Sequence, residues 1–291
     1  MRIFVLELDN DVVGIAARKQ VIEQMIAQLD RPDLVVLPEL AICGYAGDMS
    51  IWQHADCDGK ETASWTMAMA DKYQTTIGIG FVDTDGQDYY NAYLLADQNR
   101  VWGIVRKCEG ESYVFKRGDF GHLIRTPFGL VAVGICYDAR RKHLYDTIQH
   151  EALSLILFPH GSPADSQKPG VEQLLNDALC QAYLDAFGVP VVYVNSTGQM
   201  PAMLGMTGKL MRGAGFKLNG LSRIYSQDGT VIRTKQRESH GLEVAIRPQT
   251  RQKEIRFYKN NIQKGNSLFR MLVLNPDIRA GIRFYEKNKA R

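Results

Sequence analysis

Cysteine is scarce in this 291-residue sequence, and its arrangement disfavours cross-linked folds. The five cysteines are odd in number, lie far apart and form no CxxC pair, so we expect neither a disulfide framework nor a zinc site. No apolar run approaches the roughly 20 residues that a membrane span requires. The first residues lack the apolar core and cleavage site of a secretory signal. Membrane and disulfide-rich classes are therefore excluded, and a reducing cytoplasm is the expected location.

Several catalytic signatures are missing as well. The six histidines are scattered without an HExxH motif, which argues against a metallohydrolase. The GxSxG motif of serine α/β-hydrolases is absent. Gly78-Ile79-Gly80 lies inside a predicted strand and lacks the third glycine of a phosphate-binding loop. The sequence thus offers no sign of these hydrolytic or nucleotide-binding mechanisms.

Charge is nearly balanced over the whole chain but not within it. The net charge of +3 is too small to indicate a nucleic-acid partner by itself. Residues 248–291 hold eleven Lys or Arg and three Asp or Glu, a balance of +8, which leaves the first 247 residues at −5. This basic segment would suit a polyanion, an acidic membrane or an acidic partner chain. Its dispersed charges are also typical of a solvated extension, and we expect neither a nucleic-acid nor a membrane partner.

The order of the apolar segments predicts an α/β domain. Strands are predicted over residues 2–8, 34–37, 77–82, 92–96, 101–106, 130–135, 153–158 and 189–194. Helices are predicted over residues 21–29, 62–74 and 171–186, where apolar residues recur at helical spacing. Two late strands, near 221–226 and 230–234, are joined by a Gln227-Asp228-Gly229 turn. We expect one catalytic domain over residues 1–247 and an irregular tail over 248–291.

The segment from Asn195 to Gly220 breaks this pattern. It contains six glycines and four methionines. Unstructured segments of this length are typically lids, binding loops or disordered regions, and methionine suits a surface that repacks against different apolar groups. The sequence leaves open whether the segment is a functional loop or a floppy insertion.

Three polar side chains follow predicted strands, where α/β folds place their sites. They are Glu39 after the strand at 34–37, Lys107 after the strand at 101–106, and Cys136 after the strand at 130–135. Each has an ordinary explanation when taken alone. The glutamate and the lysine would suit a solvated surface, and the cysteine would suit a small buried apolar position.

Three sequence strings around these residues resemble the motifs of the nitrilase (carbon–nitrogen hydrolase) superfamily. The strings are PDLVVLPEL at 32–40 with CGY at 43–45, Arg106-Lys107, and GLVAVGICYD at 129–138. They occur in the family's order, and the resemblance covers roughly residues 1–247. It implies a four-layer αββα sandwich that pairs through its helices into a homodimer or higher oligomer, with residues 248–291 contacting the partner. It also implies that no metal and no organic cofactor is needed.

The resemblance implies a role for each residue. Cys136 would attack an amide carbonyl and form a thioester. Glu39 would accept the thiol proton, protonate the departing ammonia or amine, and then activate water. The Lys107 ammonium and the backbone N–H of Tyr137 would hold the oxyanion. A free thiol has a pKa of about 8.5 and is mostly protonated at neutral pH, so a neighbouring base or cation must activate it.

A second glutamate accompanies this trio in amidase members of the family, eight places before the aspartate of a Gly-Asp pair. Gly118-Asp119 puts that position at Glu111 in this chain, with Glu109 as a near competitor. We assign Glu111 to orienting Lys107 or the substrate. Both glutamates would also fit as simple loop charges.

Three stretches depart from the family pattern, one of which is the segment from Asn195 to Gly220, longer here than is usual in the family. The family commonly has histidine and leucine soon after the lysine, whereas Cys108-Glu109 follows Lys107 here. The usual Phe-Pro-Glu after the nucleophile motif is replaced by Arg141-Lys142-His143. These departures leave the core chemistry intact and affect the expected pocket.

The expected substrate is a small linear amide or an N-carbamoyl compound. Tyr137-Asp138 after the cysteine resembles the amidase and carbamoylase branches, whereas true nitrilases more usually have tryptophan and glutamate there. Arg140 and His160 are candidates for binding a substrate carboxylate, and a structural ion pair or a buried loop histidine is the alternative. Two other functions stay open: acyl transfer to an amine at the same thioester, and a non-catalytic or redox-sensing interaction protein.

Overall fold

Two β-sheets lie face to face in the computed structural model, which describes residues 1–201, 203–233 and 240–289. The strands are β1 (Arg2–Val5), β2 (Leu34–Val36), β3 (Asp56–Cys57), β4 (Thr76–Thr84), β5 (Tyr89–Ala96), β6 (Val101–Arg106), β7 (Leu123–Thr126), β8 (Gly129–Val133), β9 (Leu153–His160), β10 (Pro163–Asp165), β11 (Val191–Asn195), β12 (Thr197–Gln199), β13 (Phe216–Asn219), β14 (Arg223–Tyr225), β15 (Val231–Arg233) and β16 (His240–Glu243). The first sheet has the order β16-β1-β2-β4-β5-β6, with β3 beside β4, and the second has the order β15-β14-β11-β9-β8-β7. Strands β10, β13 and β12 form a small separate sheet.

The described residues form seven α-helices. They are α1 (Ile15–Ile26), α2 (Lys60–Tyr73), α3 (Lys142–Ile148), α4 (Pro169–Phe187), α5 (Gly205–Gly213), α6 (Ser267–Phe269) and α7 (Asn275–Asn288). Short 3-10 helices span Met49–His54 and Cys136–Arg140, and a π-helical turn spans Arg270–Leu274. Among the described residues, no helix is both long and apolar enough to span a membrane.

Alternating side chains of the central strands build the layers. In β9, Leu155 and Leu157 pack between the two sheets, whereas Ile156 and Phe158 face α3 and α4. The first sheet packs in the same way against α1 and α2, as shown by Ile22 in the cluster on that side. The predicted four-layer αββα sandwich is therefore confirmed, with an inner apolar layer between the sheets.

Strand direction brings several strand ends to one edge of the sandwich. In the first sheet β2 and β4 are parallel, and β5 is antiparallel to both β4 and β6, so β2 and β6 end at the same edge. In the second sheet β8, β9 and β11 are parallel and end together. Residues that directly follow these strands can therefore meet.

Most predicted strands and helices coincide with observed ones to within a few residues, and the strand at 101–106 agrees at both ends. The strand predicted over 230–234 is observed as β15, and residue 234 lies outside the described residues. Strands β7 and β16 were not predicted. Both are short. Strand β16 pairs with β1 at the other end of the chain, and β7 pairs with β8, the strand that follows it.

Two segments that the sequence suggested to be irregular contain regular structure. The sequence left open whether residues 195–220 form a functional loop or a floppy insertion, and the described part of this segment, without residue 202, contains β12, α5 and β13. The tail is not irregular, because α7 occupies residues 275–288. The Tyr285 hydroxyl of α7 donates to Asp88 Oδ1 (3.0 Å) and accepts the Tyr89 N–H (2.8 Å), which docks this helix on the first sheet.

Candidate active site

The strand ends bring Glu39, Lys107 and Cys136 together at one edge of the sandwich. Glu39 follows β2, Lys107 directly follows β6, and Cys136 follows β8. The first two come from one sheet and the cysteine from the other. This edge therefore brings together a carboxylate, an ammonium group and a thiol that are distant in sequence.

The Lys107 ammonium lies between two carboxylates. Its Nζ is 2.5 Å from Glu39 Oε1 and 3.0 Å from Glu111 Oε1. The lysine and Glu39 side chains are 1% and 0% exposed, and Glu111 is 13% exposed. A buried ammonium is costly unless it is paired, and two carboxylates supply that pairing.

Two hydrogen bonds and a sharp backbone turn hold Glu39 in place. Its Oε1 accepts a hydrogen bond from Asn91 Nδ2 and its Oε2 accepts the Gly161 N–H, both at 2.6 Å. Leu40, the next residue, has a left-handed φ of 52°, so the chain turns sharply after the glutamate. A Cβ on Gly80 would lie 2.3 Å from the Leu40 backbone nitrogen, so only glycine fits under this turn. Gly80 thus serves the turn and not a phosphate loop.

The pKa values of Glu39 and Glu111 are shifted in opposite directions. Burial raises the pKa of Glu39, and the nearby Lys107 ammonium only partly offsets it. Burial also pushes the pKa of Glu111 upward, but Lys107 and the hydrogen bond from the Tyr45 hydroxyl (2.8 Å) outweigh it and lower that pKa. Paired acids whose surroundings separate their pKa values are typical of acid–base sites. Glu39 is the one suited to carry a proton, and Glu111 is suited to stay ionised.

Cys136 stands on a sharp turn between β8 and a 3-10 helix. Its φ is 49°, a left-handed value that is unfavourable for a residue with a side chain and that recurs at functional sites. Burial and the Glu39 carboxylate raise the pKa of its thiol, whereas Lys107 and the Gly161 N–H oppose them. The resting thiol therefore keeps its proton until a base removes it. Tyr137 lies in the first turn of the 3-10 helix Cys136–Arg140, where backbone N–H groups have no partner within the helix.

Asp138 connects the turn at residues 136–140 to the lysine segment, residues 107–111. Its fully buried carboxylate accepts the backbone N–H of Cys108 (2.9 Å) and of Glu109 (2.7 Å). Burial raises the pKa of this carboxyl to about 6. Two segments from different sheets are thereby held by one side chain, a role that sequence reasoning did not assign to it.

The two candidates for the second glutamate lie in different places. Glu111 contacts Lys107, whereas the Glu109 carboxylate pairs with Arg141 Nε (3.1 Å) and Arg117 Nη2 (3.3 Å). Burial would raise the pKa of Glu109, but His143 and these arginines lower it to about 2. The geometry therefore joins Glu111, and not Glu109, to the group around Lys107.

Arg140 and His160 lie near the group but differ from a simple carboxylate site. The Arg140 guanidinium contacts Glu172, and its Nη2 donates to Asn176 Oδ1 (2.8 Å). His160 is fully buried with its ring 4.5 Å from the Tyr193 ring, and burial, followed by Arg140 and Lys107, holds its pKa well below 6.5. Their binding of a substrate carboxylate stays a prediction.

Three residues of the group were not identified from the sequence as site residues. Asn91 and Gly161 hold Glu39, and Tyr45 holds Glu111. A signal existed for Asn91, since it is a polar residue in an otherwise apolar strand. Nothing in the sequence around Gly161 indicated that its N–H faces a carboxylate 122 residues away.

Comparison with known proteins places the chain in a family and shows proteins of similar fold. The family model for carbon-nitrogen hydrolases matches residues 14–256. Among curated protein sequences, none matches the chain. The fold is similar to that of a carbon-nitrogen hydrolase from Helicobacter pylori, with 17% identity, a TM-score of 0.69, and coverage of 84% of this chain and 89% of that one.

Two further solved structures show the same fold. One is an amidase from Nesterenkonia sp., with 18% identity, a TM-score of 0.63, and coverage of 83% of this chain and 88% of the other. The second is Nit3 of Saccharomyces cerevisiae, from branch 10 of the nitrilase superfamily, with 18% identity, a TM-score of 0.62, and coverage of 84% and 90%. With most of its length matched by the family model, the chain belongs to the carbon–nitrogen hydrolase family.

Proposed function

We propose that this protein is a cysteine-dependent hydrolase that cleaves a non-peptide C–N bond in a small linear amide or N-carbamoyl compound. The observation that carries the proposal is the pairing of Lys107 with two carboxylates, beside a cysteine on a strained turn. The pKa of one carboxylate, Glu39, is raised, and that of the other, Glu111, is lowered. Such a group supplies a base, an oxyanion partner and a nucleophile in one buried place.

The first half of the reaction forms a thioester. Glu39 takes the proton of the Cys136 thiol as Sγ attacks the carbonyl carbon. The carbonyl oxygen becomes an oxyanion, which the Lys107 ammonium and the Tyr137 N–H stabilise; such donors are worth roughly 3 kcal/mol each. Glu39 then gives the proton to the nitrogen, the C–N bond breaks, and ammonia or an amine departs.

The second half restores the enzyme. Glu39, again a carboxylate, takes a proton from water as the water oxygen attacks the thioester carbon. The same donors hold the second oxyanion. The C–S bond breaks, and the proton on Glu39 returns to the Cys136 sulfur. One residue that alternates between base and acid needs a pKa near the working pH, and the raised pKa of Glu39 supports this role.

Glu111 positions groups and does not transfer protons in this scheme. Its Oε1 contacts Lys107 and Tyr45, while its buried Oε2 has no partner among the described residues. A buried carboxylate oxygen without a partner is costly. We assign Oε2 to accepting an N–H of the substrate amide. This assignment agrees with the amidase and carbamoylase expectation and with the activity named for the Nesterenkonia neighbour.

Ammonia release from a panel of short aliphatic amides and N-carbamoyl compounds tests the proposal. The wild type should turn over some of them, and Cys136→Ala should show none. Cys57→Ala is the control, since this thiol is exposed and contacts the neighbouring Asp58 carboxylate, so its loss should leave turnover largely intact. The nitrile analogues should be turned over far more slowly than the amides.

Mass spectrometry of the stalled enzyme identifies the acylated residue. The acyl group should be on Cys136 alone. An adduct on Cys108 or Cys180, or a nitrile turned over as fast as its matching amide, would contradict the assignment. Products that carry an added amine would assign acyl transfer instead, and the absence of both turnover and adduct would favour an interaction protein.

A further inference from the structure

A thiol and two imidazoles that the mechanism does not use lie next to the lysine segment. Cys108 Sγ is 3.8 Å from His122 Nε2, and His122 Nε2 is 3.0 Å from His143 Nδ1. All three ligand atoms lie within 4.8 Å of one another. Cys108 and His122 are buried, and the His143 side chain is 16% exposed.

His122 has the protonation pattern that a metal ligand needs, and His143 can adopt it. His122 Nδ1 lies 3.2 Å from the Val133 carbonyl, which can only accept, so Nδ1 carries the hydrogen and Nε2 presents its lone pair. His143 Nε2 lies 3.5 Å from Glu109 Oε1 and 3.8 Å from Asp138 Oδ1. A hydrogen on that nitrogen would face carboxylates and leave Nδ1 free to bind. The contact of His122 with the Val133 carbonyl is the kind of outer hydrogen bond that orients metal-bound histidines in proteins.

We propose that Cys108, His122 and His143 form a binding site for a zinc-class divalent cation, with a water molecule as the fourth ligand. Zinc bonds of about 2.3 Å to sulfur and about 2.0 Å to nitrogen put neighbouring tetrahedral ligands about 3.3–3.6 Å apart. The observed 3.0 and 3.8 Å lie close to this range. On binding, the Cys108 thiol loses its proton to solvent, and the proton on His143 moves from Nδ1 to Nε2.

Two independent features of the chain support the site. Cys108 and His143 are both members of the stretches that depart from the family pattern, and the fold brings them together. The surrounding charges are balanced, since the Glu109 and Asp138 carboxylates face His143 while two arginines pair with Glu109. The ligands lie 14 and 21 residues apart along the chain, so the expectation that no zinc site exists rested on spacing alone.

The site would join three segments of the fold. Cys108 follows Lys107, and His122 directly precedes β7. His143 is the second residue of α3, which follows the turn of residues 136–140. A bound ion would hold the lysine segment against that turn, in addition to the hydrogen bonds from Asp138. Binding to the folded state alone raises thermal stability.

Cobalt is the probe, because Co²⁺ bound to a thiolate absorbs in the near ultraviolet whereas Zn²⁺ is silent. The tag-free full chain carrying Cys136→Ala is titrated, so that the active-site thiol cannot bind the ion. One equivalent of Co²⁺ should give the thiolate band, and Zn²⁺ should abolish it by displacement. Adding Cys108→Ser should remove the band, and adding His122→Gln should weaken binding at least tenfold. The matched control is Cys57→Ser, an exposed thiol, which should leave the band unchanged.

A thermal melt distinguishes loss of the site from loss of the fold. Zn²⁺ should raise the melting temperature of the Cys136→Ala protein. It should not raise that of the same protein carrying His143→Gln, a half-buried position where a folded variant is expected. No band at one equivalent, a band that survives Cys108→Ser, or equal zinc stabilisation with His143→Gln would overturn the proposal.

Discussion

Glu39 and Glu111 hold the same ammonium but occupy different surroundings. Glu39 is completely enclosed, and its burial dominates its pKa. Glu111 keeps some exposure, and its contacts with Lys107 and Tyr45 dominate instead. The structure therefore shifts the two pKa values in opposite directions although both carboxylates contact one nitrogen, and the proposed roles of proton carrier and positioning group rest on this difference.

Replacing each glutamate by glutamine tests this division. Glu39→Gln removes the base and should lower kcat by about 100- to 10,000-fold. Glu111→Gln retains the shape and much of the hydrogen bonding, so it should cost less and act more on KM. Because Glu39 works as a carboxylate, activity should fall as pH drops below its raised pKa. Steady-state kinetics across pH should show this acid limb in the wild type and in Glu111→Gln.

The acid limb is the discriminating part of that measurement. It should vanish in the residual activity of Glu39→Gln. Equal losses in the two variants, with the acid limb altered in both, would show that the carboxylates titrate as a coupled pair. The assignment of separate roles would then be wrong.

Gly161 offers a second test at the level of one residue. A Cβ at this position would lie 2.7 Å from Tyr45 Cδ2 and 3.0 Å from Glu39 Oε2. Gly161→Ala should therefore displace the base and the ring that holds Glu111. We expect kcat to fall at least tenfold while the melting temperature falls by only a few degrees, measured by kinetics and calorimetry.

Gly170→Ala is the matched control for this substitution. A Cβ at Gly170 meets nothing within 4 Å, and this glycine lies in α4, where alanine is favourable. Its activity should equal that of the wild type. Wild-type kcat in Gly161→Ala would show that Glu39 does not need its present position.

At the level of elements, α5 depends on a residue from α7. Asp277 Oδ1 accepts the Met206 N–H (2.9 Å) and Oδ2 accepts the Thr207 N–H (2.8 Å), both in the first turn of α5. The Tyr113 hydroxyl also donates to Oδ1 (2.9 Å). Met203, just before α5, has its sulfur 4.0 Å from the Tyr45 hydroxyl. A contact from the tail thus holds a segment beside the candidate site.

Removing this contact should loosen α5. Asp277→Ala takes away the acceptor for two N–H groups, and loss of a helix cap costs about 1 kcal/mol. Amide hydrogens of residues 205–213 should exchange faster, and KM should rise severalfold with a smaller change in kcat. Asp277→Asn keeps one acceptor oxygen and should have an intermediate effect. Unchanged exchange in Asp277→Ala would mean that α5 is held by packing alone.

The pH dependence of this contact has a definite sign. Burial raises the pKa of Asp277, but its hydrogen bonds to Thr207 and Met206 outweigh that and lower it. Its stabilising effect on α5 is therefore complete above the ordinary aspartate pKa and is lost as pH falls through the lowered value. Exchange of the α5 amides should become independent of Asp277 only at strongly acidic pH.

The elements also show how far the sequence could predict this structure. Strands β2, β6 and β8 were predicted because each is a short, largely apolar run. The motif strings then placed Glu39, Lys107 and Cys136 at their ends. Helix α5 was not predicted, since its glycines and methionines give no clear pattern and its cap comes from a residue about 70 positions away. Asn91 and Gly161 likewise contact Glu39 from positions 52 and 122 residues away. Local periodicity carries no information about such partners.

At the level of the whole molecule, the apolar surface is concentrated on α4 and the tail. Val171 and Leu174 of α4 are 54% and 70% exposed, and Met271 and Leu272 of the tail are 60% and 61% exposed. Large exposed apolar patches on soluble proteins typically mark interaction surfaces. The tail carries a balance of +8 and the first 247 residues −5, so a tail would be attracted to the body of a second chain. We propose that these surfaces meet in a homodimer.

Sedimentation velocity of the full chain tests this proposal. The wild type should sediment as a dimer, and Leu174→Glu or Leu272→Glu should shift it toward the monomer, because a charge would be buried in an apolar contact. Truncating the tail is a poor test, since Tyr285 and Asp277 anchor it to the rest of the chain and their loss would disturb the fold. Val13→Glu is the control, because Val13 is 85% exposed but lies away from these helices in sequence, and it should leave the dimer intact. A monomeric wild type, or a dimer unaffected by both substitutions, would favour a solvated tail.

If charge contributes as proposed, the dimer should also weaken as salt increases, since screening shortens the range of attraction between exposed charges.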